Sequence, residues 1–358
     1  MSYPFKILNQ SVSTTQSGKV GWRCPSNIAI VKYWGKHGRQ LPQNASLSLT
    51  LTNAHTDTYI SYQKSNSNEL SISFLFEGEA NQAFEDKIKK FLDSVTEYYP
   101  ILHQLHLDIS STNSFPHSSG IASSASAMAA IAMCVCEIDQ IVSGSDSKKI
   151  NIHKASYLAR LGSGSASRSV IPHLGAWGSH TNIVDSSDLY AVGVEEVHEV
   201  FHTFHDDILI VSAAEKSVSS TAGHALMDNN VYAKARYQQA NDRISDLKSI
   251  LQSGDVDAFG KLAEDEAMTL HALMMCSDPS YVLMEPGTLD IIREIRNFRN
   301  KTNTPIYFTL DAGPNMHVLY PDHVKEAADN FINQVLVPYT ANGRVIKDIV
   351  GHGPQKLV

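Results

Sequence analysis

PHSSGIASSA, residues 116–125, carries the strongest structural signal in the chain. It predicts a loop that becomes a helix, because Pro116 and Gly120 favour a turn and the apolar run 125–136 follows directly. Serine hydroxyls and free backbone N–H groups at the start of a helix suit a phosphate group. A small-residue helix that packs tightly on a neighbour, with serines as N-caps, would have the same sequence. The stretch lacks the Gly-Lys-Ser/Thr ending of a Walker loop.

Length and composition predict a folded protein of two domains. The chain has 358 residues, of which 42% are hydrophobic and 18% charged, and this length exceeds one usual core. The net charge of −8 argues against nucleic acid or an anionic membrane as the main partner. The N-terminal residues lack the apolar segment of a secretory signal, and the four cysteines lack zinc-site spacing. We therefore expect a cytoplasmic protein with free thiols.

Hydrophobic patterns divide the chain near residue 201. Residues 28–31, 208–211 and 306–310 are apolar runs typical of buried strands, and residues 46–51 and 56–63 indicate two further strands. The acidic, turn-rich segment 183–201 separates the halves. We predict one domain over residues 1–201 and a second over 202–358, the latter with helices that include 240–251, 256–275 and 288–298.

Three polar segments are candidates for chemistry. KYWGK (32–36) follows a buried strand, and GSGSASRS (162–169) carries an arginine whose planar fork suits phosphate or carboxylate. Asp311 follows a strand and precedes Gly313-Pro314, so it is either a turn former or a catalytic acid or base. Each segment taken alone is also compatible with a solvated turn or a flexible loop.

Five segments occur in a fixed order along the chain. They are NIAIVKYWGK (27–36), PHSSGIASSA (116–125), GSGSASRS (162–169), VSST (218–221) and LDAGPN (310–315). In this combination, over residues 20–325, the chain resembles the diphosphomevalonate decarboxylase family of the galactokinase–homoserine kinase–mevalonate kinase–phosphomevalonate kinase (GHMP) superfamily. The segment 116–125 alone indicates only the superfamily, whereas KYWGK, SGSAxR and DAGPN are specific to the decarboxylase branch.

The resemblance implies an α+β fold of the GHMP-kinase type. Its N-terminal domain resembles ribosomal protein S5 domain 2, its C-terminal domain is ferredoxin-like, and the active site lies in the cleft between them. The implied reaction converts 5-diphosphomevalonate and ATP, with Mg²⁺, to isopentenyl diphosphate, ADP, phosphate and CO₂. Relatives are often homodimers, so the resemblance implies a homodimer here.

The resemblance also assigns roles to residues. Asp311 matches the catalytic carboxylate near the C3 hydroxyl, and Lys32 matches the lysine beside it. The positions that match substrate contacts are Tyr33, Lys36, Ser163, Gly164, Ser165, Arg168 and Ser220. The positions that match the ATP triphosphate loop, where Mg²⁺ bridges phosphate oxygens, are Gly120, Ala122, Ser123 and Ser124. No residue is assigned as a direct metal ligand.

The chain departs from the family pattern in ways that keep alternatives open. Thr221 stands where some bacterial relatives carry an arginine on the diphosphate, and the 116–121 segment is PHSSGI where PTAAGL is more typical. The alternatives are a decarboxylase of 5-phosphomevalonate, a mevalonate-type kinase, and a non-catalytic regulator that binds a phosphorylated metabolite. Asp311 and Lys32 are both present, which favours catalysis because a regulator would need neither.

Overall fold

A computed structural model describes residues 3–8, 17–65, 67, 69–115, 121, 123–144, 149–214 and 218–358. Its strands are β1 Ser17–Val31, β2 Lys36–His37, β3 Leu41–Pro42, β4 Ser46–Lys64, β5 Ser71–Phe76, β6 Glu79–Ala80, β7 Leu105–Asn113, β8 Leu174–Trp177, β9 Ala191–Gly193, β10 His205–Leu209, β11 Tyr307–Leu310, β12 Met316–Tyr320, β13 Val345–Ile346 and β14 Gln355–Lys356. Its α-helices are α1 Gln82–Asp93, α2 Ser123–Val142, α3 Ile152–Gly162, α4 Ser220–Ala225, α5 Ala233–Ser253, α6 Val256–Met275, α7 Pro286–Thr302 and α8 Lys325–Phe331.

The first sheet is built around the long antiparallel pair of β1 and β4. Its strand order is β14-β1-β4-β7-β5-β6, with β8 on the far half of β4 and β9 beside β8. The β1–β4 register runs from Ser17 opposite Gln63 to Val31 opposite Leu47. This register brings the end of β1 to the edge of the sheet that faces the second half of the chain.

The apolar helix α2 packs against β1, β4 and α3. By length and composition alone it could span a membrane, but most of its apolar window is buried inside the protein. Packing against two strands and a helix explains why nearly all of its faces are apolar. Residues 116–120 and 122, which precede it, lie outside the described residues.

The second sheet has the order β11-β12-β10-β13 and is antiparallel throughout. Helices α6 and α7 pack on β11, and the core they enclose includes Ile291, Ile295, Phe308 and Leu310. Two sheets with separately packed helices confirm the predicted α+β class.

Helix α7 begins earlier than the apolar pattern indicated. The prediction covered 288–298, whereas the helix runs from Pro286 to Thr302. Proline at the first helical position needs no backbone donor, and Glu285 and Thr288 form a reciprocal capping box. The local cap chemistry therefore sets the start of this helix.

Strand β4 is continuous and bends in its middle, so the prediction of separate strands over 46–51 and 56–63 is wrong. A residue near the C-terminal end contacts this bend. Asp348 holds the bend: its carboxylate oxygens accept backbone N–H bonds from Thr52 and Asn53 at 2.8 Å and Ala54 at 2.6 Å. Strand β14 then pairs with β1.

The predicted domain boundary at residue 201 is not tested by these contacts and stays a prediction. Strand β14, which lies after this boundary in sequence, belongs to the sheet of the first half.

Candidate active site

A cleft between the two halves of the molecule collects most of the predicted site residues. Those that line it are Lys32, Tyr33, Lys36, Ser124, Ser163, Ser165, Arg168, Ser220 and Asp311. They come from the segment after β1, the start of α2, the segment after α3, the start of α4 and the position directly after β11. The cleft thus brings together segments that are up to 279 positions apart in sequence.

Four other predicted residues do not line this cleft: Ser123 lines a neighbouring recess, Gly164 lies beside the cleft, and two fall outside the described residues. Gly164 lies behind the cleft wall, where an added Cβ atom would come within 2.7 Å of the Tyr33 hydroxyl and 2.8 Å of the Trp177 ring. A larger residue there would require these aromatic side chains to shift, so glycine lets the loop pack closely against them, and the substrate-binding role of Gly164 stays a prediction. Gly120 and Ala122 lie outside the described residues.

Lys32 and Asp311 meet at the bottom of the cleft. The Lys32 Nζ lies 3.2 Å from Asp311 Oδ1 and also donates to the Ala29 carbonyl at 2.7 Å. The Lys32 side chain is 2% exposed and that of Asp311 29% exposed, so the carboxylate is the partner that a ligand can reach. Burial lowers the pKa of Lys32, and the charge of Asp311 opposes that shift.

Arg168 forms part of the cleft wall and is itself buried. Its Nε donates to Asn27 Oδ1 at 3.3 Å and Ser48 Oγ at 3.1 Å, and its Nη1 donates to Ser46 Oγ at 2.6 Å. The guanidinium also lies over the rings of Tyr33 and Trp177. Among the described residues, two of its three nitrogens donate to protein oxygens and Nη2 has no such bond, so Nη2 can donate to an anion in the cleft.

A second group of positive charges lies at the other end of the cleft. Lys36 is half-buried and Lys87, from α1, is exposed. Burial, with repulsion from Lys87, lowers the pKa of Lys36 to about 8. An anion bound between the two lysines would favour the charged form of both.

His224 lies beside these lysines as a neutral ring. Its Nδ1 accepts a 2.9 Å hydrogen bond from the Gly35 N–H, which places the ring proton on Nε2. The ring stacks on Tyr33 at 4.7 Å and packs against Trp34 at 4.4 Å. Burial, with the charge of Lys36, holds the pKa of His224 well below its ordinary value.

The serines connect the cleft to an apolar recess. Ser124 Oγ and Ser163 Oγ are 3.3 Å apart, so the start of α2 and the end of α3 meet there. Ser123 and Ser124 also line the recess, together with aromatic and aliphatic residues from β5, α1 and α2 that include Phe74, Phe84 and Met128. A flat, apolar group could lie in the recess while a polar tail reaches the serines.

Sequence reasoning missed several residues of the cleft. They are Trp34, Gln40, Lys87, His224 and Leu270 as lining residues. Trp34 is inside a motif that was recognised, and His224 lies three residues after one. Lys87 had no such signal, because α1 carries several lysines on a polar helical face and only the fold shows which one faces the cleft.

The arrangement suits an anionic substrate whose reacting group lies against Asp311. A carboxylate in hydrogen-bond contact with a substrate hydroxyl can accept its proton, and Lys32 can stabilise negative charge that develops nearby. Arg168, Lys36 and Lys87 supply positive charge further along the cleft. The cleft can therefore hold a polyanion at one end and perform proton chemistry at the other.

Comparison with protein families finds two models along the chain. The diphosphomevalonate decarboxylase-like N-terminal domain matches residues 24–191, and the mevalonate 5-diphosphate decarboxylase C-terminal domain matches residues 207–355. Together they span most of both sheets and every described residue of the cleft.

Individual relatives agree with these models. The diphosphomevalonate decarboxylase of Debaryomyces hansenii is 30% identical over 83% of this chain and 78% of its own. The phosphomevalonate decarboxylase of Haloferax volcanii is 28% identical over 83% and 88%. A solved structure of MDDEF in complex with MVAPP, AMPPCP and magnesium is 26% identical, with a TM-score of 0.82 over 96% of this chain and 99% of that one. The last likeness confirms the predicted two-domain fold.

Proposed function

The chain belongs to the diphosphomevalonate decarboxylase family, and from this premise we propose that it converts 5-diphosphomevalonate and ATP to isopentenyl diphosphate, ADP, phosphate and CO₂. The observation that supports the proposal most is the Lys32–Asp311 contact of 3.2 Å in the cleft. A protein that only bound a phosphorylated metabolite would need neither residue in that position.

In the proposed reaction the tertiary C3 hydroxyl must first become a leaving group. Asp311 accepts its proton or orients its oxygen while that oxygen attacks the γ-phosphorus of ATP, and ADP leaves. The C3–O bond of the new phosphate then breaks. The electron pair of the C1–C2 bond forms the C2–C3 double bond, and the C1 carboxylate departs as CO₂.

The remaining residues bind the two substrates. Lys32 stabilises the charge of the phosphoryl group in transfer, and its ammonium keeps Asp311 ionised. Arg168 Nη2, Lys36 and the 163–165 loop hold the phosphates at C5 and the carboxylate, together with Tyr33 and Ser220. The positive charges at this end of the cleft match a substrate with several negative charges.

In this proposal ATP occupies the recess beside the cleft, which Ser123 and Ser124 line. Its triphosphate lies on the 120–124 segment, and its base enters the apolar recess beside Phe84. The described residues contain no cluster of three or more metal-binding side chains, but the Ser124 and Ser163 hydroxyls are hard oxygen donors of the kind that Mg²⁺ accepts. Mg²⁺ bound to the phosphate oxygens would neutralise part of their charge. The solved relative with AMPPCP and magnesium supports this assignment.

Two further parts of the proposal concern the cellular compartment of the enzyme and its macromolecular partners. We assign it to the cytoplasm, which agrees with the free thiols of Cys24, Cys134, Cys136 and Cys276. We also propose a homodimer with no nucleic-acid or membrane partner. The dimer rests on the family resemblance, and the excluded partners rest on the net charge of −8.

A second candidate substrate is 5-phosphomevalonate. The similar protein of Haloferax volcanii is a phosphomevalonate decarboxylase, and Thr221 adds no positive charge to the cleft that it lines. Incubation with ATP, Mg²⁺ and each substrate, with CO₂ and ADP measured together, decides among these functions. We expect the higher kcat/KM for 5-diphosphomevalonate. A higher value for 5-phosphomevalonate would reverse the substrate assignment, and ADP without CO₂ would indicate a kinase.

A further inference from the structure

We propose that Glu266 on α6 and Arg236 on α5 are positioning residues that hold Lys32 in its reactive place. The inference rests on the proposed decarboxylase function, because it concerns the residue that faces Asp311. In this inference, two residues from the second half of the chain hold the backbone of Lys32, a candidate catalytic residue from the first half.

The contacts join the backbone of Lys32 to a buried ion pair. Glu266 Oε2 accepts the Lys32 backbone N–H at 2.9 Å, and Arg236 Nη2 donates to the Lys32 carbonyl at 2.8 Å. The two side chains also bind each other through two hydrogen bonds of 2.6 Å. A closed ring of hydrogen bonds therefore runs through the Lys32 peptide groups, the carboxylate and the guanidinium.

Lys32 needs such partners because of where it lies. The ladder between β1 and β4 ends at Val31 opposite Leu47, so Lys32 is one residue beyond the last strand pair. Buried backbone groups that lose ladder partners must find others. Glu266 and Arg236 supply them, and Asn44 Nδ2 adds a 3.0 Å bond to the same carbonyl.

Helix α6 also contacts the other member of the catalytic pair. The buried His271 donates from Nε2 to the Asp311 backbone carbonyl at 3.1 Å. Glu266 and His271 are thus on one helix and touch the two residues whose side chains meet in the cleft. A single rigid element sets the Lys32–Asp311 distance, which makes α6 more than a packing helix.

The ion pair also sets the charge around the Lys32 ammonium. The charged groups that face this region from neighbouring elements are Asp311, Glu266, Arg236, Arg243 and Arg168. Glu266 raises the pKa of Lys32, whereas burial lowers it. Without the Glu266 charge, Arg236 and Arg243 would face Lys32 uncompensated, so the pKa of Lys32 would fall further.

Glu266→Gln tests the proposal because it keeps the shape and removes the charge. We expect kcat to fall on the order of 10- to 100-fold, because small displacements of catalytic groups have effects of this size. The KM for ATP should stay within about threefold, because Glu266 and Arg236 contact Lys32 only through its backbone and do not themselves line the cleft. The alkaline limb of the kcat profile should move to lower pH, because Lys32 loses its proton more readily.

Glu264→Gln is the matched control on the same helix. Glu264 is also buried and paired with an arginine, Arg299 at 2.7 Å, but this pair has no contact with Lys32 among the described residues. It should lose thermal stability like Glu266→Gln while kcat and its pH profile stay near wild type. If both variants lose equal activity, or neither profile moves, the pair is only structural and the proposal fails.

A double variant covers the case in which Glu266→Gln does not fold. Arg236→Met with Glu266→Met removes both of these buried charges, and apolar replacement of a buried pair is often neutral for stability; Arg243, the second partner of Glu266, is 18% exposed and keeps contact with solvent. We expect a folded protein with low kcat, and wild-type kcat in that variant would overturn the proposal. The wild-type chain assayed alongside separates the two questions: if it releases no CO₂, the decarboxylase function is wrong, whatever the variants do.

Discussion

The two ends of the cleft differ in how their charges are neutralised. At the Lys32–Asp311 end, the buried ammonium contacts a carboxylate and a backbone carbonyl. At the other end, no ion pair joins Lys36 or Lys87 to a carboxylate within the part of the chain that the structure describes. One end has its charges paired by the protein, and the other presents positive charge to the cleft.

This difference separates two tasks of an enzyme that acts on polyanions. Reacting groups must already be in place, because geometry that forms during the reaction raises the barrier. Binding groups gain most when the ligand supplies the missing counter-charge, because a partly buried ammonium without a partner is costly. The lowered pKa of Lys36 is the measurable sign of that cost. Changes at the first end should therefore alter kcat, and changes at the second should alter KM.

Asp311→Asn should have the largest effect, because it removes the only charged partner that Lys32 Nζ touches among the described residues. Decarboxylation should fall about 10²- to 10⁴-fold, as expected for a positioned acid or base. CO₂ release under saturating substrates measures it. Asp290→Asn, on the surface of α7, is the control and should keep full activity. Near wild-type turnover in folded Asp311→Asn would rule out the assigned role.

Arg168→Ala should come next and should act mainly on KM. The variant removes Nη2 from the cleft, and a hydrogen bond to a charged group contributes about 1.5–3 kcal/mol, so KM for the phosphorylated substrate should rise about 10- to 100-fold. Calorimetry with ATP and free enzyme should give a nearly unchanged affinity. Arg299→Ala, which breaks the pair with Glu264 away from the cleft, should lower stability without changing KM. Equal losses in ATP and substrate affinity would contradict a substrate-side role.

Lys36 should make substrate binding depend on pH near neutrality. Its pKa of about 8 in the free protein is below the ordinary lysine value, so its charge is present below pH 8 and is lost as pH rises through that value. KM for the substrate should therefore increase above about pH 8, with kcat less affected. Lys36→Arg should move this increase to higher pH, because a guanidinium stays charged. If the two profiles coincide, Lys36 does not bind the anion.

Ser124→Ala should have the smallest effect of the four. It removes one hydroxyl near the proposed triphosphate, and a neutral hydrogen bond contributes about 1 kcal/mol, which corresponds to roughly a fivefold change in KM for ATP or in kcat. Steady-state kinetics with varied ATP measures it. Ser249→Ala, on the exposed side of α5, serves as the control. Unchanged ATP binding would show that the serine only caps and packs the helix.

The sequence predicted those site residues that sit beside glycine, proline or a strand end. Lys32 directly follows β1 and Asp311 directly follows β11, so their motifs fixed their place in the fold. Glu266 could not be found in this way. In the sequence it is one of several acidic residues on a helix, and only the packing of α6 on the end of β1 shows that its carboxylate binds the Lys32 backbone.

The sequence predicted the fold class and the helices. It did not predict features that depend on contacts between segments far apart in sequence. The helix over 256–275 was predicted with its observed bounds, because its apolar spacing and the Asp255 cap are local signals. The continuous β4 was missed because its bend is held by Asp348, whose carboxylate binds backbone N–H groups 294 to 296 positions away. No local pattern encodes such a contact.

The return of β14 to β1 also constrains how the chain can fold as it is made. Trp22 pairs with Lys356, so an early strand of the first sheet lacks this pairing partner until a segment more than 300 residues later has been translated. Until then one edge of β1 has unpaired backbone groups, and such edges are where other strands can add. Contacts of this sequence separation also slow folding. During synthesis the first half of the chain therefore emerges without the strand that pairs with Trp22 and Arg23, and that partner is present only after residue 356 has left the ribosome.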